Sequence, residues 1–272
     1  KVLVINQCST NKGDRAILFF VLRELVRNGV DQITVSASNP EYWQDKPDFP
    51  PVSAPRFRGD KFTPAKAGAE STIAVRVVPW GWDISRRKGV GLLGKVIHRA
   101  RKLILPRWIY FPLVRSSLIA GKCPWYLRFI VNKQFLEAIE QADLVISTGG
   151  HHITTMFVPD AVTPQIFDMA VALLCGTRLV LWWQSIGPFD FVSAKSRLMV
   201  QRILAGAEQI FTRDEASADQ IRSMGISLER VSRTFESVFG LCDIVKSPAR
   251  PSERSAVLGV AVYVYVLRPS TN

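Results

Sequence analysis

Apolar residues recur along this chain in two periods. Residues 1–7 carry the run Val2-Leu3-Val4-Ile5, which reads as a buried strand. Ser9, Thr10, Asn11, Lys12, Gly13 and Asp14 follow as a turn rich in capping residues. Over 16–28, Ile17, Leu18, Val21, Leu22 and Leu25 recur at three- and four-residue spacing, and Gly29 comes next, so a helix is predicted there. Residues 32–36 make a second short strand. Strand, helix, strand in close succession calls for parallel pairing.

After a proline- and charge-rich stretch at 39–68, read as an irregular loop, a strand is predicted at 72–78. Helical stretches interrupted by Pro106, Pro112 and Pro124 come next. The alternation then resumes: a strand at 142–147 ending in a Gly149-Gly150 turn, a helix at 167–174, a strand at 178–184, a helix at 194–205, a strand at 209–212 and a helix at 214–224. A Pro/Ser/Arg-rich linker at 246–254 precedes one more apolar, β-branched strand at 255–267. The expected fold class is α/β, a Rossmann-like parallel sheet with helices on both faces. The expected domains are 1–243 and, over 244–272, a linker with the first strand of a truncated second domain. The chain starts at Lys1 rather than Met, reads as trimmed, and shows no signal peptide.

Charge changes this picture in one place. The formal net charge is +12, and twelve basic residues with no Asp or Glu lie between Ile84 and Phe135. The rest of the chain holds 35 − 12 = 23 basic and 23 acidic residues and is neutral. The imbalance therefore belongs to one insertion, at about 84–136. Trp108, Tyr110, Phe111, Trp125, Tyr126 and Phe129 are interleaved with its cations, a pattern suited to peripheral contact with an anionic membrane surface. Arg and Pro break its apolar stretches well short of the roughly 18 residues of a spanning helix. Nucleic acid is not expected, because no recognition motif accompanies the charge. Cys8, Cys123, Cys175 and Cys242 are far apart and form no C-x-x-C pair, so they read as reduced, mostly buried thiols. With three histidines and no close Cys/His pairs, no metal site is expected.

Candidate chemistry gathers just after the predicted parallel strands, where open α/β sheets bind ligands. Four patches fall there: Asn11-Lys12-Gly13-Asp14, Gly149-Gly150-His151-His152, Gln184-Ser185-Ile186-Gly187-Pro188 and Arg213-Asp214-Glu215-Ala216-Ser217. Each also has a plain structural use. Asn11 and Asp14 suit a helix cap, Asp214 and Ser217 the start of the next helix, and Arg213 an ion pair with Asp214 or Glu215. In function, Arg213 would grip a carboxylate or phosphate through its planar fork. His151 or His152 would supply a general acid, with one of the two facing the cleft. Gly149, Gly150 and Gly187 would offer backbone donors to an anion. His98 reads as a surface polar group. Gly89-Val90-Gly91-Leu92-Leu93-Gly94 fits G-x-G-x-x-G but follows no predicted strand and is set aside.

Taken together, the motifs resemble the polysaccharide pyruvyl transferase family. The matching pieces are Asn11-x-Gly13-Asp14-x-Ala16-Ile17-Leu18, Ala142-Asp143-Leu144-Val145-Ile146-Ser147-x-Gly149-Gly150, Gln184-Ser185-Ile186-Gly187-Pro188-Phe189 and Arg213-Asp214-Glu215-x-Ser217. The chain departs from the family at Glu236-Ser237-Val238-Phe239, where members tend to carry Asp before the closing stretch. The resemblance implies the N-terminal half of a GT-B-like two-domain architecture, no cofactor, phosphoenolpyruvate as donor, and a saccharide acceptor that is often lipid-linked. A cytoplasmic enzyme, peripheral at the inner face of the membrane, is the matching location. His151, His152 and Arg213 would then be catalytic, with Asn11, Gly13, Asp14, Gly149, Gly150, Gln184, Ser185, Gly187, Asp214 and Ser217 binding substrate. A nucleotide-sugar glycosyltransferase of the same shape, or a truncated inactive relative, are the alternatives.

Overall fold

The structure is a computed structural model and describes residues 1–8, 12–41, 56–58, 61–63, 73–83 and 107–234. The expectations for Asn11, for His98, for the glycine run at 89–94, for 236–239, for Cys242 and for the second domain over 244–272 lie outside these residues.

The chain alternates as its apolar pattern demands. Strand β1 is Val2–Gln7, helix α1 is Lys12–Arg27, and β2 is Ile33–Ala37. Two three-residue strands, β3 (Arg56–Arg58) and β4 (Lys61–Thr63), stand in the stretch expected to be irregular. Strand β5 (Ile73–Pro79) precedes the helices α2 (Arg107–Ala120), α3 (Leu127–Ile130) and α4 (Lys133–Gln141). Then come β6 (Leu144–Ser147), β7 (Gly150–Ile153), α5 (Pro164–Leu174), β8 (Arg178–Ile186), α6 (Ala194–Gly206), β9 (Gln209–Thr212), α7 (Glu215–Ser223) and β10 (Val231–Arg233). Helix α2 runs through Pro112, which was expected to interrupt it.

The strands lie in the order β10-β9-β8-β6-β1-β2-β5-β4-β3, with β7 also paired to β8. Pairing is parallel throughout from β10 to β5, and only β3, β4 and the β4–β5 step are antiparallel. The sheet is therefore Rossmann-like, with strand order reversing between β1 and β6. At such a reversal the loops leave the two strands in opposite directions and open a crevice at their carboxyl ends.

Alternation along β1 explains the layering. Leu3 and Ile5 face a core shared with α2, α4, α5 and α6, while Val2 and Val4 face a second core built on Ile17, Leu18, Val21 and Leu22 of α1. Helix α5 is apolar on most of its surface, with Ile166, Phe167, Met169, Ala170, Val171 and Ala172 fully buried, as expected of a helix wedged between sheet and outer helices. Among the described cysteines, Cys8, Cys123 and Cys175 form no disulfide, and Cys123 is exposed rather than buried.

Candidate active site

The carboxyl edge of the sheet is where apolar strands turn polar. Strand β1 ends in Asn6 and Gln7, β6 in Ser147 and then Thr148, β8 passes through Gln184, and β9 ends in Thr212; all six are buried. Their side chains join across strands. Asn6 Nδ2 donates to Ser147 Oγ at 2.9 Å, and Gln7 Nε2 donates to Thr148 Oγ1. Gln184 Nε2 donates to the Thr148 carbonyl at 2.7 Å and to the Ser147 carbonyl and hydroxyl at 3.2 Å. Yet Asn6 Oδ1, Gln7 Oε1, Gln184 Oε1 and Thr212 Oγ1 have no protein partner. Orphaned polar atoms are costly unless water or ligand reaches them, and these stand at the carboxyl ends of β1 and β9 and along β8, the edge where such sheets bind ligands.

The backbone is distorted at the same edge. Asn6 has φ 71° and Trp183 φ 52°. Register slips between Val4 and Gln7 on β1 and between Leu181 and Gln184 on β8. Asn tolerates the left-handed region; a bulky Trp does so only under constraint from its surroundings. The bulge turns both Trp182 and Trp183 toward the α1 core, where Trp183 meets Phe20 edge-on with centroids 5.1 Å apart. Bulges of this kind re-aim side chains beside functional sites.

The histidines lie on a strand rather than in the expected turn. Strand β7 continues the path of β6 along β8, pairing Gly150 with Gln184 and Ile153 with Ile186. A tight kink at Thr148-Gly149 links the two. Gly149 is needed there, since a Cβ would sit 2.8 Å from the Trp183 carbonyl oxygen. Neighbours on a strand point to opposite faces. His151 Nε2 meets the Gly187 carbonyl, and its ring packs edge-on against Phe157 with centroids 5.5 Å apart. A carbonyl only accepts, so His151 carries its hydrogen on Nε2. His152 is half-buried with Nε2 shut off from solvent and unpartnered. Desolvation pushes its pKa down to about 4, helped by the positive charge of Arg213, so it is neutral at pH 7.

Arg213, one residue past β9, donates from Nε (3.0 Å) and Nη2 (2.6 Å) to Ser185 Oγ on β8. Of the two carboxylates weighed as structural partners for Arg213, Glu215 binds Arg233 at 3.2 Å, while Asp214 feels the Arg213 charge. Asp214 is the N-cap of α7, accepting from the Ser217 N–H at 2.7 Å and the Ser217 hydroxyl at 2.6 Å. Burial pushes the Asp214 carboxyl up, but the Ser217 and Ser185 hydrogen bonds and the Arg213 charge outweigh it, and its pKa falls below the usual value. Asp214 and Ser217 thus brace the start of α7 and, through Ser217 Oγ, the Ile186 N–H at 2.9 Å. Gly187, with φ +80°, donates its N–H to the Ile153 carbonyl at 2.7 Å, so that donor is already engaged. On the other side of the crevice, Gly13 and Asp14 fall in the first turn of α1, not in a turn before it. Burial lifts the Asp14 carboxyl to about 6.

The edge thus brings together His151, His152, Gln184, Ser185, Gly187 and Arg213 on β7, β8 and the end of β9, with Gly13 and Asp14 at the strand reversal. A family model for polysaccharide pyruvyl transferase matches residues 11–270, nearly the whole chain. The chain belongs to the polysaccharide pyruvyl transferase family. No curated protein matches the sequence significantly. Family membership makes this a transferase-type chain of polysaccharide biosynthesis, and its matched region includes every residue of the crevice that follows β1. Among the described residues, no group of three or more His, Cys, Asp or Glu could hold a metal ion. Among the same residues, no helix is long and apolar enough to cross a membrane.

Sequence reasoning missed Asn6, Gln7, Thr148 and Thr212 as parts of this edge. The available signal was the abrupt change from apolar to amide or hydroxyl at the end of each strand.

Proposed function

We propose that this chain transfers pyruvate from phosphoenolpyruvate to two hydroxyls of a saccharide, forming a pyruvate ketal. The observation that carries the reading is the meeting of the histidine pair with the Ser185–Arg213 contact on one sheet edge. Phosphoenolpyruvate offers a carboxylate and a phosphate to a cation. Arg213 is the cation on this half, with its fork oriented by Ser185.

The reaction needs an acid to protonate the methylene carbon. His151 is the choice, because His152 is neutral and its pKa is far below that of a useful acid at pH 7. Protonation leaves an oxocarbenium-like centre at the neighbouring carbon. One sugar hydroxyl attacks it, the C–O bond to phosphate breaks, and a second hydroxyl closes the ketal. The two hydroxyl protons balance the proton added to carbon and the one that leaves with phosphate. Asp14, ionised above about pH 6, is suited to hold an acceptor hydroxyl.

The acceptor is read as lipid-linked, met at the inner face of a membrane. Support comes from Trp125 and Phe129, which are 80% and 51% exposed, set beside the exposed cations Lys122, Arg128 and Lys133.

The test is phosphate release from phosphoenolpyruvate with a mixed panel of free and lipid-linked saccharides. Acceptor-dependent release is expected, reduced roughly 10²-fold in kcat/KM for phosphoenolpyruvate by Arg213→Ala. Unchanged turnover in that variant removes Arg213 from the site. Release of a nucleoside diphosphate from a nucleotide sugar, with none of phosphate, favours a glycosyltransferase instead.

A further inference from the structure

Beyond the crevice, the loop after β8 and the two helices that follow enclose a separate recess of about 550 Å³. That lies within the roughly 300–1,000 Å³ of ligand pockets. Phe189, Asp190 and Phe191 come from the loop, Arg197 from α6, and Gln220 and Ser223 from α7. None of the crevice residues lines it.

Its chemistry is mixed in a particular way. Phe189 and Phe191 stack with centroids 5.0 Å apart and planes at 17°, giving one flat apolar wall. Around that wall stand a carboxylate, a guanidinium, an amide and a hydroxyl. Among the described residues, Asp190 and Arg197 make no ion pair, and both are exposed. A phosphate-bearing ligand does not fit, because among the described residues the one cation, Arg197, shares the recess with the acid Asp190. A purely apolar ligand does not fit either, since it would strip water from four polar side chains. A sugar ring has the matching surface: C–H faces for the aromatic wall and hydroxyls at its edge for Asp190, Arg197, Gln220 and Ser223.

We propose that this recess is a saccharide subsite, holding a sugar of the acceptor chain next to the one that is modified. Its wall is continuous with the backbone that holds His151. Gly187 accepts from His151, Thr154 Oγ1 donates to the Pro188 carbonyl at 3.1 Å, and the Asp190 N–H donates to Thr155 Oγ1 at 2.6 Å. A chain laid in the recess therefore leads toward that histidine. The word acceptor rests on the pyruvyl-transfer reading; saccharide binding does not.

The experiment titrates the whole chain calorimetrically with unmodified gluco-, galacto- and manno-oligosaccharides of one to six units, and repeats it with Asp190→Ala and Arg197→Ala. Both side chains are exposed, so thermal stability should stay unchanged. Expected is binding of at least one series, tighter for longer chains, and weakened roughly tenfold or more in either variant, the scale of one or two lost hydrogen bonds. No binding by the wild type, or binding indifferent to both variants, overturns the subsite. Phosphate release from phosphoenolpyruvate is followed in parallel. Variant-sensitive binding without release keeps the subsite and discards pyruvyl transfer. Release whose acceptor KM ignores chain length and both variants keeps the reaction and discards the subsite.

Discussion

His152 holds a ring that refuses a proton where the unfolded chain would take one. Its folded pKa is about 4 against an ordinary 6.5. Between those values acidification adds a proton to the unfolded state alone, so stability is full above pH 6.5 and is lost as pH falls toward 4. The shift corresponds to about 3 kcal/mol when complete. Urea denaturation of wild type and His152→Gln from pH 7.5 to 4 checks this: the wild type should lose about that much more than the variant. Parallel profiles would show that the ring is not desolvated. The pair of histidines was visible in the sequence, but their strand was not. Two glycines before two histidines carry no β signal, and β7 exists because β8 runs two residues past its predicted end and offers an edge to pair with. Arg213 was likewise visible, while its partner Ser185 depends on a register slip in β8 that no local pattern announces.

At the scale of elements, most of the alternation was readable, because apolar period and capping residues agree. The β9 boundaries coincide with the predicted 209–212, and Thr163 and Ser193 cap α5 and α6 through their hydroxyls. What escaped notice depends on distant contacts. Asp168 reads as one polar residue in an apolar helix, yet it is wholly buried and accepts the N–H groups of Gly81 and Trp82 at 3.2 Å each. Burial pushes its pKa well above the carboxylate range, against the pull of those two donors. Asn132 closes the same loop, donating its N–H to the Gly81 carbonyl at 2.8 Å and its amide to the Asp83 carbonyl at 2.7 Å. Residues 81–83 after β5 are thus tied to α5 and to the N-cap of α4. Asp168→Ala leaves two N–H groups unpaired and should cost about 3 kcal/mol, whereas Asp168→Asn keeps an acceptor oxygen and should cost clearly less. Chemical denaturation separates the two; equal losses would mean that volume, not hydrogen bonding, is what Asp168 supplies.

For the whole molecule, charge and exposed aromatics supply what the sheet does not. The parallel pairing was implied by the β-α-β order, whereas the reversal between β1 and β6 was not. The outer surface was not implied, because exposure depends on what packs over each helix. Of the twelve cations in the basic insertion, those at Arg86, Arg87, Lys88, Lys95, Arg99, Arg101 and Lys102 lie outside the described residues. In the described part, Tyr110 and Phe111 turn into the core while Trp125 and Phe129 stay outside, edge-on to each other at 5.8 Å. Arg128 and Lys133 approach Glu140 at 3.9 Å and Glu137 at 3.5 Å, exposed pairs that are worth little and leave the cations available. Rings and cations on one surface partition into a headgroup layer together: the rings enter the interface, and each cation gains about 1 kcal/mol from an anionic leaflet. Cosedimentation of the whole chain with phosphatidylglycerol vesicles should therefore exceed that with phosphatidylcholine vesicles and fall as salt rises. Trp125→Ser with Phe129→Ser should lower the partition at least roughly tenfold, with the melting temperature measured alongside to show that the fold persists. Binding that ignores lipid charge, or that survives the double substitution, assigns these residues to something other than a membrane surface.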